Sequence, residues 1–282
     1  MGAPGSYGTL SLSPDGKRVA FDRYDSSPVN VDVWVHDLAQ GTTNRFTFDP
    51  ARDEQPVWSP DGSQIVWSSQ RDGASNLYQK PSNLAGVETA LLKSAEQKIP
   101  QDWSRDGRFL LYTVTHADAN SDLWVLPLEG ERNPIPLLTT KFIEGQGRFS
   151  PDGRYIAYVS NESGPYEVYV RPFSADGKVG GQQMISQGGG AQPQWRHDGK
   201  ELFYITTDSK LVAVPVSTAP TFQRTGAPVA LFTVPIFGIG FADGQRWAAM
   251  PDVQEFLINS VRTEAASEPI TVILNWMELL KK

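Results

Sequence analysis

The sequence contains no cysteine, only three histidines and no apolar run that approaches the length of a membrane span. Without cysteine there are no disulfides, no cysteine catalysis and no thiolate metal sites. A spanning helix needs about 18 consecutive apolar residues, so we expect no direct membrane insertion. The net charge is −7 and no stretch is rich in Lys or Arg. This argues against nucleic acid and anionic membranes as partners, because both require concentrated positive charge.

What the chain does contain is a turn motif that recurs along its whole length. The aspartates of the six copies stand at positions 15, 61, 106, 152, 198 and 252, at steps of 46, 45, 46, 46 and 54 residues. Proline presets the backbone of such a turn, aspartate caps it, and glycine supplies the positive φ that closes it. The copies are Ser13-Pro14-Asp15-Gly16, Ser59-Pro60-Asp61-Gly62, Ser104-Arg105-Asp106-Gly107, Ser150-Pro151-Asp152-Gly153, Arg196-His197-Asp198-Gly199 and Met250-Pro251-Asp252-Val253.

A period of about 46 residues is the length of one four-stranded propeller blade. Strand-like runs flank each turn, a third run follows, and a weaker fourth run completes most repeats. The sequence therefore predicts an all-β chain with the fold of a six-bladed β-propeller built from four-stranded antiparallel blades. We expect a single domain, 1–282, with blades at about 7–50, 51–95, 96–141, 142–188, 189–235 and 236–282. The recurrent aromatic residues Trp58, Trp103 and Trp195 are interpreted as core between blades.

The repeats contain few groups that could carry out catalysis. His36 falls at the end of a third strand, His116 in a loop and His197 in a turn, so they cannot assemble a histidine-rich metal site. No Gly-x-Ser-x-Gly nucleophile elbow is present. The adjacent carboxylates Asp53 and Glu54 are interpreted as part of a solvated loop. We predict no catalytic residue, no metal and no cofactor.

The repeat unit resembles a known family. The segment Trp58 to Trp67, with Ser-Pro-Asp-Gly after the tryptophan and Ile65 and Trp67 beyond it, is similar to the TolB-like propeller, also called the WD-like repeat. Four further stretches resemble the C-terminal propeller of bacterial eukaryotic-like serine/threonine kinases and related sensors. They are 167–173, 188–196, 198–204 and 269–276.

The resemblance to the kinase-linked propellers implies a sensing or docking module with a periplasmic or extracytoplasmic location, although residues 1–4 carry no signal peptide. The kinase motifs themselves are absent. Such propellers begin with an extra strand that is missing before Tyr7, so we expect the chain to be a fragment of a longer protein. We also expect an incomplete last blade, either three-stranded or completed by the C-terminal tail.

The mouth of the central channel is the natural ligand site of a propeller. Polar residues recur there, at the start of each first strand. One interpretation is that the rim of a water-filled channel is polar simply because it is solvated. The alternative is that these residues form hydrogen bonds with a peptide or glycan ligand. The candidate ligand-binding residues are Glu54, Gln55, Lys98, Gln101, Glu144, Gln146, Arg148, Gln192, Gln194 and Arg246. The apolar loop 234–241 lies near this rim in the sequence register. It either forms a lid or an apolar contact patch there, or it packs over the last two blades.

These observations favour a monomeric, non-enzymatic binding or sensing propeller. Its partner would be a protein, peptide or glycan, including a cell-envelope ligand, held at the channel mouth. The alternative is a hydrolase or lyase with its active site in the channel, because the fold alone excludes neither. A third reading is a spacer within a longer chain. A cluster of perturbed carboxylates with Arg or Lys in the channel would favour the enzyme.

Overall fold

The computed structural model describes residues 6–24, 30–118, 120–176, 180–235, 244–252, 255–260 and 270–274. Within these ranges every regular element is a β-strand, and none is a helix that could cross a membrane. The strands form antiparallel sheets in which consecutive strands pair. This arrangement is the one that the turn motif predicts, since each copy lies between the first and second strands of a sheet.

Four sheets have four strands each. The first sheet contains β1 (Ser6–Leu12), β2 (Arg18–Tyr24), β3 (Val31–Asp37) and β4 (Thr43–Arg45). The second contains β5 (Asp53–Trp58), β6 (Gln64–Asp72), β7 (Ala74–Pro81) and β8 (Thr89–Leu92). The third contains β9 (Gln97–Trp103), β10 (Phe109–Thr115), β11 (Ser121–Pro127) and β12 (Ile135–Leu138). The fourth contains β13 (Glu144–Phe149), β14 (Tyr155–Ser160), β15 (Glu167–Pro172) and β16 (Gln183–Met184).

The last two sheets depart from this plan. The fifth contains β17 (Gly190–Trp195), β18 (Glu201–Thr206), β19 (Lys210–Ser217), β20 (Gln223–Arg224) and β21 (Val229–Thr233). Both β20 and β21 pair with β19. The sixth sheet contains β22 (Trp247–Ala249), β23 (Glu255–Asn259) and β24 (Ile270–Leu274).

The structure thus shows five complete blades, and the prediction of six is wrong by that count. In the described part of the chain the sixth sheet has three strands, in agreement with the prediction of an incomplete last blade. The physical reason lies in the sequence: the last repeat has lost the turn glycine and its connections are longer. Most of loop 234–241, for which the sequence predicts either a lid or packing over the last blades, lies outside the described residues, as does Val253. The domain boundaries stay a prediction.

The hydrophobic core is divided into clusters, each between two neighbouring sheets. Sheets 1 and 2 share a cluster around Trp67, and sheets 5 and 6 share one around Trp247, both indoles being fully buried. A cluster that contains Leu10 and Leu257 joins sheet 6 back to sheet 1. The remaining clusters join sheets 2 and 3, 3 and 4, and 4 and 5. Each sheet is therefore held mainly by apolar contact with the sheets on either side.

The turn motif is stabilised by a small hydrogen-bond network. In the second sheet, the hydroxyl of Ser59 donates to Asp61 Oδ1 at 2.6 Å and accepts from the amide of Gln64 at 2.9 Å. The amide of Gly62, at a φ of 71°, donates to the carbonyl of Ser59. The bond from Ser59 lowers the pKa of Asp61. The serine, the aspartate and the glycine of the motif thus hold one hairpin together.

Replacing Ser59 by alanine should therefore lower the free energy of unfolding by about 1–2 kcal/mol, because two bonds of a buried hydroxyl are lost. Ser63→Ala is the matched control, since the exposed Ser63 hydroxyl contacts the same aspartate. We expect the control to cost less than about 0.5 kcal/mol. Urea denaturation measures both. Equal losses for the two variants would contradict the proposed role of the motif serine.

Candidate functional site

A cavity of about 550 Å³ lies among the first strands of the six sheets. Its lining includes the second residue of every turn motif: Pro14, Pro60, Arg105, Pro151, His197 and Pro251. It also includes the residue that precedes each motif: Leu12, Trp58, Trp103, Phe149, Trp195 and Ala249. The cavity therefore opens at the end of the channel where the turns between first and second strands lie. We call it the channel cavity.

The tryptophans of the channel cavity are fixed in place. Indole N–H groups donate from Trp58 to the carbonyl of Ser11 at 3.0 Å and from Trp195 to the carbonyl of Arg148 at 3.1 Å. Both bonds connect one sheet to the sheet before it. Trp58 is buried and belongs to an inter-sheet cluster, as predicted, while Trp195 packs partly buried against another. The same side chains form part of the cavity wall, which the core interpretation alone did not include.

Two of the six turns carry a polar residue in place of proline, and these two residues contact each other. A guanidinium nitrogen of Arg105 lies 2.8 Å from His197 Nδ1 and donates to the carbonyl of His197 at 2.9 Å. Burial and the nearby Arg105 both lower the pKa of His197. The ring nitrogen that faces Arg105 is therefore an acceptor. The bond links the third sheet to the fifth across the edge of the cavity.

Asp102 and Arg148 are charged residues of the same cavity wall. Asp102 accepts a hydrogen bond from the amide of Phe149 at 2.7 Å, and Arg148 donates to Gln245 Oε1 at 3.2 Å. Burial raises the pKa of Asp102, and attraction to Arg148 opposes the shift. Burial lowers the pKa of both Arg148 and Arg105, and attraction to Asp102 opposes each shift. One carboxylate thus interacts with two guanidinium groups.

Five of the predicted site residues line the channel cavity: Gln55, Gln101, Gln146, Arg148 and Gln194. Gln194 and Gln245 both donate to the carbonyl of Trp247, at 2.6 and 2.9 Å. The cavity wall therefore presents amide groups, indoles and charged groups together.

The repeated glutamines have a structural explanation as well. Gln55, Gln146 and Gln192 lie at bulges in their strands with φ of 57°, 52° and 54°. The side-chain oxygen of Gln146 accepts from the amide of Gln192 at 2.6 Å, and that of Gln192 accepts from the amide of Arg246 at 3.0 Å. Gln192 is fully buried and lines neither cavity. Gln146 thus ties the fourth sheet to the fifth, and Gln192 ties the fifth sheet to the sixth.

A second cavity of about 280 Å³ adjoins the first, and Thr9, Gln55 and Gly244 line both. Its wall includes two further predicted contacts, Glu54 and Arg246, and three residues that are not among the predicted contacts: Asp22, Tyr24 and Arg52. Arg52 pairs with Glu54 at 2.9 Å.

Asp22 is the most perturbed group of this second cavity. Its carboxylate accepts from the amide of Thr9 at 2.9 Å, from the Thr9 hydroxyl and from the amide of Gln55 at 3.3 Å. Burial raises its pKa to about 6, against the effect of the bonds from Thr9. The side chain is 2% exposed. Asp22 thus holds together the first strands of two neighbouring sheets, β1 and β5.

The other two predicted residues, Lys98 and Glu144, line neither cavity. Lys98 is buried and donates to the hydroxyl of Ser94 and, at 2.7 Å, to the carbonyl of Glu96. Glu144 is buried and accepts from the hydroxyl of Thr140. Burial raises the pKa of Glu144 to about 7. Both groups stabilise the starts of their strands.

The interpretation of Asp53 and Glu54 as a solvated loop is wrong. Both lie in β5, and Asp53 is fully buried with Arg71 at 3.2 Å. The alternation of a strand puts the two carboxylates on opposite faces, so only Glu54 reaches a cavity. Among the described residues, no cluster of histidine and carboxylate side chains could hold a metal ion.

Comparison with known proteins places this geometry in a wider group. Residues 2–119 match the family model of the TolB beta propeller domain. The Bacillus subtilis "Uncharacterized peptidase YuxL" is 26% identical, over 56% of this chain and 31% of its own length. A putative TolB from Agrobacterium tumefaciens has a TM-score of 0.69 at 20% identity, covering 88% of this chain and 87% of that one. A puromycin-hydrolyzing peptidase of Mycobacterium tuberculosis has a TM-score of 0.63 at 15% identity, covering 90% and 43%.

Over residues 2–119 the chain therefore matches the TolB beta propeller domain, and its described part has the fold of a solved TolB-like β-propeller. It spans about a third of YuxL and less than half of the puromycin-hydrolyzing peptidase. The likeness to solved structures concerns the fold alone, because the identities are low. The further resemblance to kinase-linked propellers stays a prediction.

Proposed function

We propose that this chain is a non-enzymatic binding or sensing propeller that engages a peptide, or an extended segment of a protein, in the channel cavity. The observation that supports this most directly is the wall of that cavity, where fixed indoles and glutamine amides together line a volume of about 550 Å³. Ligand sites are typically concave, with apolar surfaces and a few placed polar groups.

The chemistry of the wall suits a peptide backbone. An extended peptide presents both N–H donors and C=O acceptors, and a glutamine amide can pair with either. Indole faces offer large rigid contact area for side chains. Because the N–H groups of Trp58 and Trp195 are already bonded to the protein, these side chains lose little freedom when a ligand binds.

Of the predicted residues, we propose Gln55, Gln101, Gln146, Arg148 and Gln194 as ligand contacts in the channel cavity. Glu54 and Arg246 would contact a ligand that extends into the second cavity. The buried positions of Lys98, Glu144 and Gln192 support a role in holding strands in place.

We also propose that the three-stranded sheet takes the place of a sixth blade. Its support is the junction with the first sheet, where the amide of Leu10 donates to the carbonyl of Gln245 at 2.8 Å and Asn259 donates to the carbonyl of Gly8 at 2.7 Å. In line with the resemblance to kinase-linked sensors, the module would act as a monomer within a longer extracytoplasmic protein.

The proposal is tested by selecting binders from a random 12-residue peptide library displayed on phage. Gln101→Trp fills the channel cavity with an indole, and the exposed Gln40→Trp is the matched control outside it. We expect selected peptides to lose at least tenfold in affinity for the first variant and less than twofold for the second. Calorimetry on synthetic peptides supplies the affinities.

Selected peptides that bind both variants equally would overturn the proposal, as would a library that yields no peptide at all. In the latter case a glycan array becomes the next screen, since a glycan is the other ligand class for such a rim. Melting temperatures of both variants establish that they are folded.

One observation favours the alternative, a hydrolase with its site in the channel. The second cavity brings together Asp22, Glu54 and the cations Arg52 and Arg246, which is the kind of cluster found at active sites. Its weakness is that Asp22 is buried and bonded to Thr9 and Gln55. Turnover of fluorogenic peptides or 4-nitrophenyl glycosides by the purified chain, abolished by Asp22→Asn, would establish this function instead.

A further inference from the structure

Within the described part of the chain, the charged residues of the channel cavity, together with His197, lie on one side of it. Arg105 and Asp102 come from the third sheet, Arg148 from the fourth and His197 from the fifth. At the positions equivalent to Asp102 and Arg148, four residues before the motif aspartate, the sixth, first and second sheets carry the uncharged Ala248, Ser11 and Val57. At the motif's second position these three sheets carry proline. The cavity therefore has a charged side and a largely apolar side.

The charged side has more positive than negative charge. Two guanidinium groups, of Arg105 and Arg148, interact with the single carboxylate of Asp102. Among the described residues, the other hydrogen-bond acceptors of these cations are neutral: the ring nitrogen and carbonyl of His197, and the amide oxygen of Gln245. Charge-assisted bonds to a carboxylate are about twice as strong as bonds to neutral acceptors. A second carboxylate at this place would improve the local charge balance, in a protein whose overall charge is −7.

We propose that the channel cavity contains a carboxylate subsite formed by Arg105 and Arg148, and that the ligand carries its carboxylate next to an apolar side chain. This inference rests on the proposed function and specifies the class of peptide. The carboxylate replaces His197 as the partner of Arg105, and the apolar side chain packs on the opposite side against Trp58 and the turn prolines. The carboxylate comes either from an Asp or Glu side chain or from a free C-terminus.

The position of Arg105 supports a role in binding rather than in folding. It occupies a site where four of the six turns have proline, and the turn closes in the same way with either residue. The amide of Gly107 donates to the carbonyl of Ser104 at 2.9 Å, as Gly62 does to Ser59. The arginine therefore adds nothing that the turn itself requires.

A peptide array tests the subsite. It carries matched sequences in three arms: a free C-terminal carboxylate after Leu, Phe or Trp; an internal Asp or Glu after the same residues, with an amidated C-terminus; and amidated sequences with Asn or Gln instead. We expect binding in one or both of the first two arms, and at least about tenfold weaker binding in the third. The arm that binds identifies the source of the carboxylate.

Two variants of the same residue then test the mechanism. Arg105→Gln removes the charge, and Arg105→Pro restores the residue found in four other turns and so should fold normally. Both variants should bind the preferred peptides with about tenfold lower affinity. The control is Arg108→Gln, because Arg108 is exposed and pairs with Asp106 outside the cavity.

Two failures are distinguishable. Peptides that bind equally in all three arms, yet lose affinity for Gln101→Trp, would overturn the carboxylate subsite and leave the proposed function standing. Peptides whose affinity is unchanged by Gln101→Trp would overturn both the carboxylate subsite and the proposed function. Equal losses with Arg105→Gln and Arg108→Gln would also reject the subsite, because a general effect of surface charge would then explain them.

Discussion

Replacement of Trp67 by alanine is expected to lower the free energy of unfolding by about 3–5 kcal/mol, the cost of deleting a large buried aromatic side chain. Trp67 lies in β6, is fully buried and packs edge-on against Phe46, with ring centres 5.6 Å apart. It contributes to the cluster between the first two sheets. Alanine would leave a cavity at an interface that neighbouring sheets cannot close, because each sheet is also held on its other side.

Phenylalanine at the same position provides the matched comparison. The indole N–H of Trp67 has no hydrogen-bond partner within the described residues, so its loss leaves no bond broken. We expect Trp67→Phe to cost about 1–2 kcal/mol, from reduced volume alone. Urea denaturation followed by circular dichroism measures both variants. A phenylalanine variant as unstable as the alanine variant would show that the indole is doing something besides filling space.

Stability should also fall as the pH rises from about 4.5 to about 7.5. Burial raises the pKa of Glu144 to about 7, well above the value near 4.5 of an exposed glutamate. A carboxyl whose folded-state pKa is raised contributes stability that is complete below its unfolded pKa and is lost as the pH rises through the folded value. For Glu144 alone this amounts to about 2–3 kcal/mol. Asp22 and Asp53, each with a pKa of about 6, add changes of the same sign.

Glu144→Gln removes this titration while keeping the shape of the side chain. We expect its unfolding free energy to vary less than that of the parent protein, by about 2–3 kcal/mol between pH 4.5 and 7.5. Glu131→Gln, at an exposed position, should leave the profile unchanged. Urea denaturation curves at four pH values give the unfolding free energy of each variant. If this free energy changes with pH equally in the parent and in Glu144→Gln, the effect does not come from the Glu144 carboxyl.

The turn motif gives the opposite trend at low pH. Hydrogen bonds from Ser150 and from neighbouring groups outweigh burial and lower the pKa of Asp152 to about 2. Its contribution is complete above pH 4 and is lost as the pH falls toward 2. For these groups taken together, the contribution to stability is therefore largest between about pH 4 and pH 5.

The fold was largely predictable because the strongest signal in the sequence is a repeated turn with definite stereochemistry. Gly16, Gly62, Gly107, Gly153 and Gly199 all have a φ between 70° and 78°, as the turn requires. The blade count failed where that chemistry fails, in the last repeat. A pattern of turns cannot show how many strands follow, since the outer strands carry weaker signals.

The site was predictable only in part. Polar residues at the starts of strands do reach the channel, but alternate residues of a strand face opposite ways, and a bulge at Gln55 or Gln146 shifts that alternation. Register alone therefore could not separate Arg148, which faces the cavity, from Glu144, which is buried away from it. Arg105 and His197 could have been noticed, because each interrupts a row of prolines. That they contact each other is a property of the closed ring.

The junction between the first and sixth sheets is where the two ends of the described chain meet. Every other interface joins segments that follow one another in the sequence, whereas Asn259 and Gly8 are 251 residues apart. Bringing such distant segments together carries the largest loss of chain entropy. This junction should therefore form last during folding and open first when the protein is destabilised. Opening of this junction would leave the hydrogen bonds within each sheet intact, and it would widen the channel cavity, because the first strands of both sheets line that cavity.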